Sequence, residues 1–325
     1  MTLKLFEAFA GIGTQRMALR NLGIDHVTVG ISEIDPFALQ SYEAIHGKTM
    51  NYGDITKINP LELPDFDLFT YSFPCQDLSS AGSQQGMVRG QTRSGLLYEC
   101  EKIIEMKRPK YLLLENVKPL VGKKFKPYFD EWLIYLENLG YTNYWQVLNA
   151  SEFGSGQRRE RVFVVSVLGD HAPFSFPAPS SPRRFIKDCL LDESEVPTDA
   201  YSTNPIALTN GTCFFDAYFP NRKPFQTNRI YHIDRLSPTL TKRGDNYFLI
   251  PITENPVNES DYRVRRIQPI EMWRLMGISD EDYFKAYHSG VSKTHLKHQA
   301  GNAICVEVLE AIFKSLFLRK GRELS

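Results

Sequence analysis

Cysteine is scarce in this chain and never clustered. Cys75, Cys100, Cys189, Cys213 and Cys305 are odd in number, widely spaced and never form Cys-x-x-Cys, which excludes a disulfide framework and argues against a zinc site. Any cysteine with chemistry to perform acts alone, as a thiol. No run approaches the ~18 apolar residues that a membrane helix needs, and nothing near Met1 joins a basic start to a long apolar core. The expectation is therefore a cytoplasmic protein with no membrane partner. An excess of charge is absent too: 38 Lys and Arg balance 38 Asp and Glu, so no global electrostatic signature of nucleic-acid binding exists. Basic residues do cluster locally, as Lys118, Lys123, Lys124 and Lys126, as Arg158, Arg159 and Arg161, and as Arg263, Arg265 and Arg266, although a solvated face would also explain each.

What is present is enough apolar material, 42% of 325 residues, to fill one large domain or two modest ones. The first half alternates short β-branched or aromatic runs with amphipathic segments, the pattern of an α/β domain with a mostly parallel sheet. It predicts strands at 3–9, 27–33, 68–73, 111–115, 144–149 and 161–167, and helices at 15–21, 36–45, 96–106 and 128–138. The segment from Pro173 to Pro182 holds four prolines in ten residues, continues neither periodicity and reads as a hinge. From Arg183 to Arg266 the periodicity is poor, and 12 Lys and Arg face 11 Asp and Glu. A loop-rich second domain at 183–266 is expected. Helix signals return at 269–276 and after Asn302, where Cys305, Leu309, Ile312, Phe313 and Leu316 form one apolar stripe. Burying that stripe on the first sheet makes the first domain discontinuous, 1–182 plus 267–325.

Five places along the chain carry chemistry. Phe9-Ala10-Gly11-Ile12-Gly13 closes the first strand just before a helix, where glycines allow a tight turn and close approach of a ligand to backbone N–H groups. Glu33 follows Gly13 by 20 residues at the end of the second strand, the place of an acid on ribose hydroxyls. Asp54, in Gly53-Asp54-Ile55, is expected at a third strand end, beside an adenine. Together these point to a nucleoside-type cofactor. Ser72-Phe73-Pro74-Cys75-Gln76 ends a strand at the edge where open α/β sheets do their chemistry, and proline before cysteine fixes the thiol in a non-helical geometry. Cys75 is placed like a nucleophile, whereas Cys100 and Cys305 lie on amphipathic helix patterns and read as small core residues. One strand further on, Glu115-Asn116-Val117 brings a carboxylate to the same edge, where it is costly unless it binds something.

These residues resemble the DNA (cytosine-5) methyltransferases of bacterial restriction-modification systems. The resemblance spans residues 3 to 318 in unpermuted order and leaves only about 183–234 unmatched. It implies a Rossmann-like S-adenosylmethionine-dependent methyltransferase domain with a second, smaller, loop-rich target-recognition domain. It also implies that Cys75 is the catalytic thiolate, that Glu115 holds the cytosine ring, and that Arg159 and Arg161, in Gln157-Arg158-Arg159-Glu160-Arg161, support the glutamate and the base. Gln299-Ala300-Gly301-Asn302-Ala303 matches the family's Gly-Asn element, while Ser237-Pro238-Thr239-Leu240 and the segment from Pro269 to Gly277 resemble those following its recognition region. S-adenosylmethionine is expected at Phe9, Gly11, Gly13, Glu33, Ile34, Asp54, Ile55, Pro74, Asn302 and Ala303. Departures are Ile34, where many relatives carry an aromatic residue, Thr14 in place of glycine and Ala81 in place of serine.

Cytosine chemistry asks for the same residue types. Carbon 5 is too weak a nucleophile to attack a sulfonium methyl until a thiolate has added to carbon 6, and the charge that develops towards N3 and O2 needs an acid and an arginine. Attack comes from above the ring, so the base must leave the stack. The segment 79–95 reads as the loop that closes over it. DNA is expected at Gln76, Arg89, Arg93, Lys123 and Lys124. The remaining expectations are double-stranded DNA as partner, a cognate restriction endonuclease sharing the site without direct binding, a monomer, and no metal. A branch of the family that methylates cytosine in tRNA shares the catalytic residues; the Ser-Phe-Pro-Cys form and the short recognition region favour DNA.

Overall fold

The computed structural model describes residues 2–74, 93–179, 184–209, 215–221, 228–241 and 246–318, without the side chains of Arg93 and Ser94. The chain divides into two compact units, one formed by 1–149, 160–180 and 306–325, the other by 150–159 and 181–305. The boundaries expected from sequence, 182 and 267, differ from these: 150–159 and 267–305 group with the second unit.

The first unit is built on a six-stranded sheet of order β2-β1-β3-β4-β6-β5. The strands are β1 (Leu3–Ala8), β2 (His26–Ser32), β3 (Leu68–Tyr71), β4 (Tyr111–Val117), β5 (Tyr141–Asn149) and β6 (Glu160–Leu168). β2, β1, β3 and β4 run parallel, and β6 is antiparallel to both β4 and β5. Central strands covered on both faces need near-continuous apolar runs, and β3 is buried at all four positions. Helices α1 (Thr14–Asn21), α2 (Pro36–His46), α3 (Leu97–Lys107) and α4 (Lys126–Asn138) follow β1, β2, β3 and β4. The start of α2 is fixed locally: Pro36 occupies its first turn, and the Asp35 carboxylate accepts the N–H groups of Phe37 and Ala38. The last helix, α8 (Val306–Phe317), returns to this unit, with Asn21 of α1 donating to Glu310 at 2.7 Å and Phe317 edge-on to Tyr111. The expected third strand before Asp54 shrinks to a single bridge, Ile31 to Asn51.

The second unit is less irregular than its sequence suggests. A five-stranded sheet runs β11-β10-β9-β8-β7, with β7 at Ala207–Leu208, β8 at Ala217–Tyr218, β9 at Arg229–His232, β10 at Tyr247–Pro251 and β11 at Tyr262–Arg266. Strands of two to five residues leave too little periodicity to read, which is why this region was expected to be loop. Helix α5 (Pro269–Leu275) matches its expected position, but α6 (Asp280–His288) and α7 (Lys293–Asn302) were not foreseen. Both begin at a serine, Ser279 and Ser292, whose hydroxyl accepts a backbone N–H three residues on.

Each unit buries a charge-bearing pair. In the second, Arg265 and Glu271 are fully buried and joined by two hydrogen bonds of 2.9 and 2.8 Å. Glu271 also accepts the N–H groups of Leu191 and Gln268. Removing Glu271 leaves the buried Arg265 with only the partly exposed Glu193 carboxylate, 3.2 Å away, so Glu271→Ala should cost roughly 3 kcal/mol. Urea unfolding checks this, and a loss below about 1 kcal/mol would contradict it.

In the first unit, Glu7 of β1 is fully buried and accepts the Tyr42 hydroxyl at 2.6 Å. Its other oxygen meets no partner among the described residues. Burial pushes this carboxyl up from 4.5 to about 7, with the Tyr42 hydroxyl and Arg16 opposing the shift. Because the folded value exceeds the unfolded one, the folded state holds the extra proton between pH 4.5 and 7. Stability from this group is complete below that window and declines across it, by roughly 3 kcal/mol in total. Chemical unfolding across the window should show this slope, and Glu7→Gln should flatten it.

Candidate active site

The carboxyl ends of the parallel strands line one edge of the first sheet. At the end of β1 the chain turns through Phe9, Gly11 and Gly13, which all take positive φ, 55°, 56° and 73°. Glycine tolerates this region and phenylalanine does not, so the turn stores strain of the kind found at ligand sites. Glu33, just past β2, holds the turn: one carboxylate oxygen accepts Gly11 N–H at 2.7 Å, and the other accepts Ile34 and Asp35 N–H at 2.9 and 2.8 Å. Three of about four acceptor positions of the carboxylate are thereby used, leaving capacity for a ligand hydroxyl. Ile34 beside it is 75% exposed, an apolar side chain free to lie against a flat ring.

Asn51, which no motif contains, joins this edge to the Asp54 segment. Its side-chain oxygen accepts Glu33 N–H and Gly53 N–H, and its amide donates to the Glu33 carbonyl. Ser32 adds a bond to the Gly53 carbonyl at 2.7 Å. Asp54 caps a 3-10 turn, Ile55–Lys57, and the Thr56 N–H and then its hydroxyl hold the Asp54 carboxyl below its ordinary range. Ile55 is buried. Phe9, Gly11, Gly13, Glu33, Ile34, Asp54 and Ile55 thus form one connected edge whose shape and acceptors fit a nucleoside.

Further along the edge, Phe73 is buried and its carbonyl accepts the Asn116 amide at 3.1 Å, tying the segment that enters Pro74 to the end of β4. On β4, Glu115 meets Arg161 of β6, Oε1 to Nε 3.1 Å, with 11% and 16% of the two side chains exposed. Because Val117 pairs with Arg161 across the strands, Glu115 and Arg161 are diagonal neighbours on one face. Cys75, Gln76 and Arg89 lie outside the described residues, as does the side chain of Arg93. Lys123 and Lys124 are exposed in the turn before α4, with the Lys124 ammonium over the Phe125 ring.

Three expected residues belong to the second unit. Arg159 is buried and donates to the carbonyls of Leu240, Gly301 and Ala303. It thereby joins the two segments that carry Ser237-Pro238-Thr239-Leu240 and Gly301-Asn302-Ala303. Asn302 is the exposed last residue of α7, and Ala303 donates its N–H to Gln299. Gln157 ties the Leu240 segment to the end of α5 instead, accepting Leu240 N–H and donating to the Leu275 carbonyl. Among the described residues, no group of three or more His, Cys, Asp or Glu side chains is placed to hold a metal ion, and no helix is long and apolar enough to cross a membrane.

Residues 3–318 match the family model described as C-5 cytosine-specific DNA methylase. Type II methyltransferase M2.ScrFI of Lactococcus lactis subsp. cremoris is 39% identical, over 97% of this chain and 99% of its own length. Type II methyltransferase M.NlaX of Neisseria lactamica is 32% identical over 96% of each. Among solved structures, S. pombe Dnmt2 methyltransferase superposes with a TM-score of 0.73 at 21% identity, over 96% of this chain and 97% of that one, a likeness of fold. With the full-length family match and these two relatives, the chain belongs to the C-5 cytosine-specific DNA methylase family and methylates cytosine in DNA.

Proposed function

We propose that Cys75, Glu115 and Arg161 carry the reaction on a cytosine flipped out of double-stranded DNA, with S-adenosylmethionine held at Phe9, Gly11, Gly13, Glu33, Ile34, Asp54, Ile55 and Pro74, and with Asn302 and Ala303 as further cofactor residues on the strength of the family's Gly-Asn element. The observation that carries this reading is the Glu115–Arg161 pair, on the strand next to the one that leads into Pro74-Cys75. The bound cofactor supplies an electrophilic methyl carbon. Cys75 adds as thiolate to carbon 6, and a Glu115 proton shared with N3 neutralises the ring as the electron pair moves to carbon 5. Arg161 keeps the Glu115 carboxyl oriented and offers a donor towards O2. After carbon 5 has gained its methyl group, a base takes the C5 proton, a water being sufficient, and the thiolate leaves. Arg159 is counted with these catalytic residues through the family's Gln-x-Arg-x-Arg element, and it holds the carbonyls of Leu240, Gly301 and Ala303.

On this reading the region 183–266 reads the base sequence. Gln76, Arg89, Arg93, Lys123 and Lys124 meet DNA in the catalytic part. The enzyme works as a monomer in the cytoplasm, within a restriction-modification or epigenetic system whose nuclease shares its site without direct binding.

Cys75→Ser should abolish methylation while S-adenosylmethionine binding is retained, since a hydroxyl is a far weaker nucleophile at neutral pH. DNA carrying 5-fluorocytosine should trap wild type, but not Cys75→Ser, as a denaturant-resistant adduct, because fluorine cannot leave as a cation. Turnover of the variant within about tenfold of wild type, or no adduct with wild type, rejects the covalent route. Bisulfite sequencing of plasmid from an expressing host identifies the trapping sequence beforehand.

Recognition and affinity should separate. Exchanging 183–234 for the matching region of a relative should move methylation to the relative's sequence with the same atom modified. Lys123→Ala with Lys124→Ala should weaken binding to every duplex and flatten its salt dependence. An exchanged protein still active at the original site refutes the recognition assignment.

A further inference from the structure

The turn at the end of β1 is held on a second side, by residues that no motif includes. The Ile12 carbonyl lies 3.1 Å from His46 Nε2, at the end of α2. A carbonyl only accepts, so the imidazole proton of this contact sits on Nε2. The His46 ring packs on Tyr42, one helical turn earlier, with centroids 4.7 Å apart. Tyr42 is fully buried and anchored by its hydroxyl, which donates to Glu7 at 2.6 Å and lies 3.5 Å from Arg16 Nη1. Gly13 rests directly on both rings: a Cβ there would stand 2.6 Å from His46 Nε2 and 2.6 Å from Tyr42 Cε2. The turn is therefore clamped, with Glu33 on the Gly11 N–H and His46 on the Ile12 carbonyl. A turn with positive φ at Phe9, Gly11 and Gly13 keeps that shape only where its surroundings impose it.

We propose that His46, supported by Tyr42, is a positioning residue for cofactor binding: it fixes the glycine turn in its binding shape before S-adenosylmethionine arrives, without touching the ligand. This rests on the reading of that turn as the cofactor site. Ordering a loop during binding lowers affinity, and a loop ordered beforehand avoids the loss. His46 should thus govern cofactor affinity and leave DNA affinity alone.

Two substitutions separate this from a role in holding α2 together. His46→Phe keeps a ring against Tyr42 but has no donor for Ile12, whereas His46→Gln gives up the ring and retains an N–H near the position of Nε2. Calorimetry with S-adenosylmethionine should show His46→Phe weakened about tenfold, the loss of one buried hydrogen bond, and His46→Gln within about threefold of wild type. Binding of a random-sequence duplex should be unchanged in both, and the thermal midpoint of the cofactor-free protein should fall by no more than a few degrees in either. Wild-type affinity in His46→Phe, equal weakening in the two variants, or parallel loss of cofactor and duplex binding overturns the proposal. Failure of the wild type itself to bind S-adenosylmethionine overturns instead the reading of the turn as the cofactor site.

Discussion

The N–H of Gly11 has its partner on another strand. Phe9, Gly11 and Gly13 all take positive φ, and the turn that leaves β1 closes through Gly13 N–H on the Ala10 carbonyl at 2.9 Å, which leaves the Gly11 N–H to find a partner elsewhere. The oxygen that satisfies Gly11 belongs to Glu33, 22 positions later. Because the second oxygen of Glu33 simultaneously holds Ile34 and Asp35, one carboxylate sets where β1 ends, how α1 begins and how the chain enters α2. Asn51 then carries the same constraint to Gly53 and Asp54. In the proposed reading, an edge tied together in this way suits a cofactor that must present one carbon to one base atom.

The second constraint is the reversal of β6. A strand parallel to β4 at that place would bring its far end to the active edge and leave its beginning at the opposite side of the sheet. Running antiparallel, β6 starts where β4 finishes, so Arg161 falls opposite Val117 and reaches Glu115. The buried end of a sheet is a poor place for a lone carboxylate, and the reversal supplies its counter-charge. Asn116 adds the link to Phe73, so the ends of β3 and β4 are tied by a side chain beyond their last paired residues, Thr70 and Leu113.

Much of the first unit was legible because parallel strands covered on both faces write themselves as apolar runs. The six expected strands lie within about three residues of the observed ends, and Gly11, Gly13, Glu33 and Glu115 were found by their distance from those strands. The residues that brace the site left no such mark. Asn51, Tyr42 and His46 act through hydrogen bonds to Glu33, Glu7 and Ile12, each 18 or more residues away in sequence. Glu7 shares its strand with one other charged residue, the exposed Lys4, and only the fold reveals that Glu7 is buried against a tyrosine hydroxyl. In the second unit, β7 and β8 span two residues each, too few for a period, while α7 is mostly polar, with only Leu296, Gln299 and Ala300 buried. Its start was marked by Ser292 alone.

Electroneutrality, which argued mildly against a DNA enzyme when read from composition, takes another meaning once the second unit's pairs are located. Arg265 is committed to Glu271 and Glu193, Arg263 to Glu193, Arg235 to Asp216, Lys187 to Asp234 and Arg274 to Asp280. These basic side chains fasten the unit internally, so their charges are largely cancelled before any phosphate approaches. In the proposed division of labour that is an advantage. Phosphate contacts add affinity for every sequence equally, whereas base contacts discriminate, so each basic side chain of a reading surface that is paired internally raises the ratio of specific to non-specific binding. In that division the phosphate contacts are proposed for the catalytic part, where Lys123 and Lys124 are exposed in the turn before α4, after the strand that bears Glu115.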